Sequence, residues 1–175
     1  MKSNIVFIGI AGSGKTTVGK KLAECLQMQF CDIDTEIEKT TGMTIPQYFA
    51  EHGEASFREV EAALVKKLSQ YANSVISTGG GVVLKRENIE NLRKKGVLVC
   101  LSSRPEVILE RIQNDTNRPL LNHGDPYQNI LKLIRERETL YQAADIYIDT
   151  SDLDISEVLS EIKERLKDFN GICRN

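Results

Sequence analysis

The chain has 175 residues, of which 41% are hydrophobic and 27% are charged, and its formal net charge at pH 7 is -2. This length predicts a single domain, residues 1–175, with a sizeable buried core. The small negative charge gives no global attraction to nucleic acid or anionic lipid, and no apolar run is long enough to span a membrane. The 4 cysteines lack metal-ligand spacing, which is typical of reduced thiols in a cytoplasmic protein.

Short apolar runs alternate with amphipathic segments along the chain, and this alternation predicts an α/β fold with a parallel sheet covered on both faces. The predicted strands are Ile5–Gly9, Phe30–Asp34, Val75–Thr78, Val97–Ser102 and Ile146–Thr150. The predicted helices are Lys15–Leu26, Ile45–His52, Ala55–Tyr71, Arg86–Lys95, Pro105–Gln113, Tyr127–Ala143 and Ile155–Phe169. Ligands of such folds collect at the carboxyl ends of the strands, so polar and glycine-rich segments there mark the candidate site.

The first predicted strand runs into the phosphate-binding pattern G-x-x-x-x-G-K-[ST], from Gly9 to Thr16. Its glycines allow backbone N–H groups to point at phosphate oxygens, at the start of a helix whose dipole favours anions. Lys15 is then expected to reach the β- and γ-phosphates, and the Thr16 hydroxyl to hold Mg²⁺. A glycine-rich turn that merely contains a lysine is the alternative, but the strand and helix around the loop favour nucleoside triphosphate binding. The predicted nucleotide-binding residues of the loop are Gly12, Ser13, Gly14, Lys15, Thr16 and Thr17.

Two aspartates, Asp32 and Asp34, end the second predicted strand. Side chains alternate across a strand, so the two carboxylates are expected to face different ligands. Asp32 is the candidate for the water shell of Mg²⁺, and Asp34 would then reach a different ligand. Alternatively, Asp34 only caps a helix that begins at Thr35, which is a common task for aspartate. The spacing of these residues does not decide between the two.

Six motifs follow one another in an order and spacing that together are specific. They are Asp32-x-Asp34-x-x-Ile37-Glu38, Gly53-Glu54, Phe57-Arg58-x-x-Glu61, Gly79-Gly80-Gly81, Arg118-Pro119-Leu120-Leu121 and Arg137-x-x-x-Tyr141. In this arrangement the chain resembles the shikimate kinase family from about Ile5 to Asp154. The resemblance implies a P-loop kinase fold, a three-layer α/β/α sandwich with a five-stranded parallel sheet. It also implies a substrate-binding helical insertion at about residues 34–61 and a mobile lid at about residues 115–125.

The same resemblance implies transfer of the γ-phosphoryl group of ATP to the 3-hydroxyl of shikimate, a step toward chorismate and the aromatic amino acids. Asp34 would contact the hydroxyls of shikimate. Arg58 and Arg137 would hold its carboxylate, and guanidinium groups suit this task because they pair with a planar carboxylate through two parallel hydrogen bonds. The backbone around Gly79, Gly80 and Gly81 would assist them, while Ile45, Phe49 and Phe57 would line the ring pocket. Glu61 lies three residues after Arg58, where it can hold that guanidinium across one helix face.

On the nucleotide side, the resemblance implies that Arg118 in the lid reaches the ATP phosphates and that Arg111 stacks on adenine. The segment from Thr150 to Asp154 would form the other adenine wall. Catalysis would depend on Lys15, Asp34 and Arg118, with Mg²⁺ held by Thr16 and Asp32. The enzyme is expected to act as a cytoplasmic monomer on small molecules.

Two other functions remain open at this point. Another small-molecule kinase of the same fold, such as a gluconate kinase, would also carry the phosphate loop. A non-catalytic ATP-binding regulator would carry it too, but such a protein has no need for Asp34 or for the lid arginine.

Overall fold

The structure is a computed structural model and describes residues 2–112 and 125–169. Within these ranges five parallel strands form one sheet in the order β2-β3-β1-β4-β5. The strands are β1 (Asn4–Ile8), β2 (Gln29–Asp32), β3 (Ser74–Ser77), β4 (Gly96–Ser102) and β5 (Ile146–Asp149). The helices are α1 (Lys15–Leu26), α2 (Ile33–Thr41), α3 (Ile45–Leu68), α4 (Arg86–Lys95), α5 (Pro105–Ile112), α6 (Pro126–Tyr141) and α7 (Ile155–Leu166). The predicted parallel α/β sheet is confirmed.

Alternate residues of β1 face opposite sides of the sheet and join different apolar clusters. Ile5 and Phe7 belong to a cluster that contains the buried faces of α1 and α7. Val6 and Ile8 belong to another, which contains the buried faces of α2, α3 and α4. All four side chains are fully buried, and each such burial contributes about 1.5–3 kcal/mol. The sheet therefore lies between two helical layers, as the predicted three-layer sandwich requires.

A smaller apolar cluster attaches α5 and α6 to the loop after β1. It consists of Ile10 from that loop, Ile108 and Ile112 from α5, and Ile130 from α6. Because Ile10 belongs to the phosphate-binding pattern, this cluster fixes the two helices beside the carboxyl ends of the strands.

The region after β2 differs most from the prediction. The predicted strand extended to Asp34, but β2 ends at Asp32 and α2 begins at Ile33. Ile33 and Ile37 are both fully buried, and their i, i+4 spacing fits a helix that packs one face against the core. The Asp32 side chain starts this helix by accepting a hydrogen bond from the backbone N–H of Thr35 at 3.2 Å. The capping role considered for Asp34 therefore belongs to Asp32.

Candidate active site

The phosphate-binding loop connects β1 to α1, so the predicted strand–loop–helix arrangement is confirmed. Lys15 is the first residue of α1, and only 7% of its surface is exposed. Its ammonium group donates to the carbonyl oxygens of Gly9 and Ile10, both at 2.8 Å. The Ser13 hydroxyl also donates to the Ile10 carbonyl, at 2.9 Å. The lysine thus lies along the concave side of the loop, where it can meet an anion that binds to the backbone N–H groups.

A cleft of about 420 Å³ opens beside this loop. This volume is in the usual range for sites that bind small molecules. All six loop residues predicted to bind nucleotide line the cleft, together with Arg111. The lining residues are Gly12, Ser13, Gly14, Lys15, Thr16, Thr17, Val18, Arg111, Ile112, Thr150, Leu153, Ile155 and Val158. Thr150 and Leu153 come from the segment predicted to form the other adenine wall, so this segment does line the cleft.

Arg111, near the end of α5, is held against that wall by hydroxyl and carbonyl groups. Its guanidinium donates to the Ser103 hydroxyl at 2.8 Å and to the Thr150 hydroxyl at 3.0 Å. A further bond reaches the carbonyl oxygen of Thr150 at 2.9 Å. Three hydrogen bonds fix the plane of the guanidinium and leave its face available for stacking.

A second arginine, Arg104 in the segment after β4, was not predicted to have a role. The Arg104 guanidinium forms two parallel hydrogen bonds with the Asp152 carboxylate, at 2.7 and 2.6 Å, and the Arg104 backbone N–H donates to Ser151 at 2.8 Å. These bonds tie the segment after β4 to the segment after β5. The sequence offers no signal for this pair, because its members are 48 residues apart.

The two predicted metal ligands lie in direct contact. The Thr16 hydroxyl donates to the Asp32 carboxylate at 2.8 Å, and the Ser77 hydroxyl lies 3.3 Å from the same Thr16 oxygen. Mg²⁺ prefers such hard oxygen ligands, so this donor set fits the ion. Ser77 ends β3, next to β1, and was missed because a serine two residues before a glycine triplet gives no distinct signal. Within the described ranges, no group of three or more His, Cys, Asp or Glu residues forms another candidate metal site.

Asp34 lies in the first turn of α2, so its separation from Asp32 arises from helix geometry and not from alternation across a strand. A Cβ atom added to Gly79 would lie 2.7 Å from Oδ1 of Asp34 and 3.2 Å from Oε1 of Glu61. Both carboxylates therefore lie close to the glycine triplet at the end of β3. Asp32 faces Thr16, and Asp34 faces Gly79, so the two carboxylates have different neighbours although the predicted local structure was wrong. That Asp32 serves the metal and Asp34 the second ligand stays a prediction.

The Arg58 guanidinium lies over the end of the same triplet. A Cβ atom on Gly81 would come within 2.4 Å of two Arg58 nitrogens, so any larger residue would displace this guanidinium from its present position. Arg58 donates to Glu61 at 3.0 Å and to Glu54 at 3.0 Å, both on α3. The expected i, i+3 pair between Arg58 and Glu61 is thus present, and Glu54 supports the guanidinium from the other side.

Arg137 reaches the same triplet from a different helix, α6. Its side chain, 7% exposed, donates to the Gly80 carbonyl oxygen at 3.0 Å. The Tyr141 hydroxyl donates to the same oxygen at 2.8 Å. The structure therefore brings together Asp34, Arg58, Arg137 and the glycine triplet from four separate parts of the chain.

Glu61 is the most deeply buried acid of this group, with no exposed surface. Burial raises its pKa above the ordinary value, while the nearby positive charge of Arg58 acts in the opposite direction. Among the described residues, its Oε1 atom has no hydrogen-bond donor. Glu61 thus holds Arg58 with one oxygen and presents the other to the space beside Gly79.

The predicted lid lies almost entirely outside the described residues, and this includes Arg118. Asp125, at the end of the predicted lid, caps α6 by accepting a hydrogen bond from the backbone N–H of Tyr127 at 2.9 Å. In the described part of the chain, no helix is both long and apolar enough to cross a membrane.

Comparison with known proteins gives one consistent family. The model of the shikimate kinase family matches residues 11–167. The shikimate kinase of Pelotomaculum thermopropionicum is 48% identical over 169 residues, which are 97% of this chain and 98% of that protein. The shikimate kinase of Caldanaerobacter subterraneus subsp. tengcongensis is 50% identical over 159 residues, or 91% of this chain and 93% of that protein.

Solved structures agree with this result. The shikimate kinase of Acinetobacter baumannii in complex with shikimate has a TM-score of 0.93 to this chain at 36% identity, and the match covers 97% of this chain and 96% of that one. A gluconokinase from Sinorhizobium meliloti reaches a TM-score of only 0.56 at 20% identity, which shows a shared fold and nothing more. The family match and the curated relatives both span nearly the whole chain, and we conclude that it belongs to the shikimate kinase family.

Proposed function

We propose that this protein transfers the γ-phosphoryl group of ATP to the 3-hydroxyl of shikimate, giving ADP and shikimate 3-phosphate on the route to chorismate. The observation that carries this proposal is the convergence of Arg58 and Arg137 on the glycine triplet, next to Asp34. This group suits a small ligand that has both a carboxylate and hydroxyls. A kinase for a nucleoside monophosphate has no such carboxylate to bind.

For the nucleotide, we assign the phosphates to the loop residues Gly12 to Thr17 and the adenine to the wall beside Arg111. Lys15 would neutralise negative charge that develops on the phosphates during transfer. The contact between Thr16 and Asp32 supports a Mg²⁺ site, with Thr16 as a direct ligand and Asp32 acting through water. When bound there, Mg²⁺ would supply positive charge that offsets the negative charge of the phosphates during transfer.

For the acceptor, we assign the carboxylate to Arg58, Arg137 and the backbone of Gly79, Gly80 and Gly81. Both guanidiniums are already held by hydrogen bonds on the protein side, so little side-chain freedom is lost when the ligand binds. The rings of Phe49 and Phe57 would then contact the carbon ring of shikimate.

Asp34 would orient the 3-hydroxyl for attack. The hydroxyl oxygen forms a bond to the γ-phosphorus, the bond from that phosphorus to the β–γ bridging oxygen breaks, and Asp34 accepts the hydroxyl proton. Phosphoryl transfer passes through a loose transition state, so the orientation of the hydroxyl matters more than the strength of the base.

The remaining assignments concern the chain as a whole. We propose one kinase domain over residues 1–175, with a shikimate-binding segment at about residues 34–61 and a lid at about residues 115–125. Arg118 of the lid would stabilise the charge on the departing phosphoryl group. We further propose a cytoplasmic monomer that binds neither nucleic acid nor membrane.

A coupled assay of ADP release tests the proposal. Purified protein with Mg²⁺ and ATP should release ADP when shikimate is added, and should release far less with gluconate, AMP or CMP. The Lys15→Ala variant, purified identically, controls for contaminating kinases because it should lose the activity. Faster turnover of gluconate would favour a different small-molecule kinase, and ATP binding without turnover of any acceptor would favour a regulator.

A further inference from the structure

Helix α3 has a sharp kink at Gly53 in the middle of its length. The Gly53 backbone has φ 75° and ψ 172°, while the residues on both sides are helical. Backbone with positive φ and ψ near 180° is accessible almost only to glycine. The kink divides α3 into a first segment, residues 45–52, and a second segment, residues 54–68.

Space does not explain the glycine at this position. A Cβ atom added to Gly53 would meet no heavy atom within 4 Å. Gly81, in contrast, has Arg58 pressed against it. A larger residue would therefore fit at position 53, and what it would lack is the backbone conformation. Position 53 therefore requires glycine because of the backbone conformation of the kink, and not because of a lack of space.

The kink folds the two segments of α3 back on each other. The ring centroids of Phe49 and Phe57 are 4.5 Å apart, and the Tyr48 hydroxyl lies 2.9 Å from the Ser56 hydroxyl. Each pair is separated by eight residues, which in a straight helix would be about 12 Å along the axis. A straight α3 could not hold these contacts.

The second segment carries Arg58 directly after Phe57. The guanidinium carbon of Arg58 is 5.2 Å from the centroid of the Phe57 ring, and Glu61 holds the same guanidinium one turn later. The first segment carries Phe49 and Ile45. The angle at Gly53 therefore sets the distance between an apolar wall on one segment and the carboxylate-binding arginine on the other.

We propose that Gly53 is a positioning residue for the acceptor site. Its backbone conformation places Phe49 against Phe57 and thereby sets the distance between the apolar wall and the Arg58 guanidinium. This inference rests on the proposed function, which assigns the carboxylate of shikimate to Arg58. In this role Gly53 acts through Phe49 and Phe57 and is not itself assigned a contact with the substrate.

The test is Gly53→Ala in the full chain. Alanine favours a continuous helix, so α3 should straighten and Phe49 should move away from Phe57. The KM for shikimate should rise roughly 10- to 100-fold, as displacements of about 1 Å do in positioned sites. The KM for ATP should stay within about twofold, because the nucleotide cleft shares no residue with α3. Nuclear Overhauser effects between the labelled rings of Phe49 and Phe57 report the kink without any assay of activity.

Two further variants complete the design. The first is a control, Asn73→Ala, which adds backbone strain at another residue with positive φ (54°). Asn73 is exposed and directly precedes β3, at the end of the sheet opposite to the site. It should lower the melting temperature and leave the KM for shikimate unchanged. Gly53→Asn covers the case in which the alanine variant does not fold, since asparagine enters positive φ more often than most residues with a side chain. At ψ near 180° it is still strained, so the KM for shikimate should still rise, at most as far as in Gly53→Ala.

The outcomes separate cleanly. A Gly53 variant that folds, keeps the Phe49–Phe57 ring contact and has an unchanged KM for shikimate would overturn the inference. An increase in both KM values, or an equal increase in Asn73→Ala, would also overturn it by indicating a general loss of stability. If the unaltered protein did not turn over shikimate, the proposed function would fail. The ring contact would still show whether Gly53 sets the kink, while the positioning role would be overturned.

Discussion

The nucleotide half and the acceptor half of the site are built in different ways. The phosphate-binding part of the nucleotide half depends on consecutive residues, Gly9 to Thr17, which run from the end of β1 into the first turn of α1. The acceptor half consists of side chains from α2, α3 and α6 around the glycine triplet after β3. Local backbone geometry can form the phosphate-binding part, whereas the acceptor half exists only when distant elements have packed.

This difference also concerns the kind of interaction in each half. The phosphate loop uses backbone N–H groups and one lysine, so it needs little support from elsewhere. The acceptor half concentrates charged side chains that are held by one another, and Arg58 alone pairs with both Glu54 and Glu61. Substitutions in the acceptor half should therefore affect shikimate binding without disturbing ATP, and the following predictions test that separation.

The largest effect should come from Asp34→Asn. Asp34 belongs to the acceptor half, and Asp32, only two residues away, belongs to the nucleotide half. Turnover should fall roughly 10²- to 10⁴-fold because the hydroxyl loses its proton acceptor, while the affinity for Mg·ATP should stay close to normal. Asp32→Asn, only two residues away, should instead raise the Mg²⁺ concentration needed for half-maximal activity. Steady-state kinetics at several Mg²⁺ concentrations distinguish the two variants. Exchanged phenotypes would mean that the roles of the two aspartates are reversed.

The next effect concerns the arginines of the acceptor half. Arg58→Ala or Arg137→Ala should weaken shikimate binding by about 2–4 kcal/mol, the range for a lost charge-assisted contact at a largely desolvated site. Lysine at either position should restore only part of this loss, because an ammonium group cannot match both carboxylate oxygens. Isothermal titration calorimetry with shikimate and, separately, with an ATP analogue gives both affinities.

The matched control for this series is Arg135→Ala. Arg135 is exposed and lies two residues before Arg137 on the same helix, so its replacement by alanine removes an equal charge. It should leave the affinity for shikimate unchanged within error. Normal shikimate affinity in both Arg58→Ala and Arg137→Ala would exclude these arginines from the acceptor half.

A smaller effect, in stability and not in binding, should distinguish Glu61 from the other acids. Burial raises the pKa of Glu61 in the folded protein above its ordinary value of 4.5. The neutral acid is therefore favoured by folding, and its stabilising contribution is complete below pH 4.5 and is lost as pH rises through the folded-state pKa. The unfolding free energy of the native protein minus that of Glu61→Gln should thus decrease from pH 4.5 to neutral pH. Urea unfolding of both proteins at several pH values measures this difference in free energy. A difference that increases with pH would mean that the attraction of Arg58 for the Glu61 carboxylate outweighs the effect of burial.

The smallest effect is expected on the nucleotide half, at the Arg104–Asp152 pair. Both side chains are more than half exposed, at 53% and 74%, so water and salt screen their attraction. Arg104→Ala should raise the KM for ATP by about fivefold at most and leave the KM for shikimate unchanged. Asp152→Ala should do the same, and the double variant should be no worse than either single one. A larger effect on shikimate than on ATP would contradict the separation between the two halves.

The sequence predicted the repeating parts of the fold well. The bounds of α1 and α4 were predicted as they are found, since each has a clear apolar face, and a glycine stands directly before α1 and directly after α4. The error at β2 has a definite cause. The run from Phe30 to Ile33 is apolar enough to suggest a longer strand, but Asp32 satisfies a free N–H group of the next turn and so favours an early helix start. The side-chain cap outweighed the strand pattern.

The sequence by itself determined the phosphate loop and the parallel sheet, because these depend on local spacing. The family resemblance added the charged residues Asp34, Arg58 and Arg137, whose roles toward the acceptor stay predictions. Only the tertiary structure decided that Ser77 joins Thr16 and Asp32, that Arg104 binds Asp152, and that the two helical segments predicted on either side of Gly53 fold back on each other. Each of these depends on a distance between residues far apart in the chain or on one pair of backbone angles. Such quantities are set by how packed elements meet, and no periodicity in the sequence encodes them.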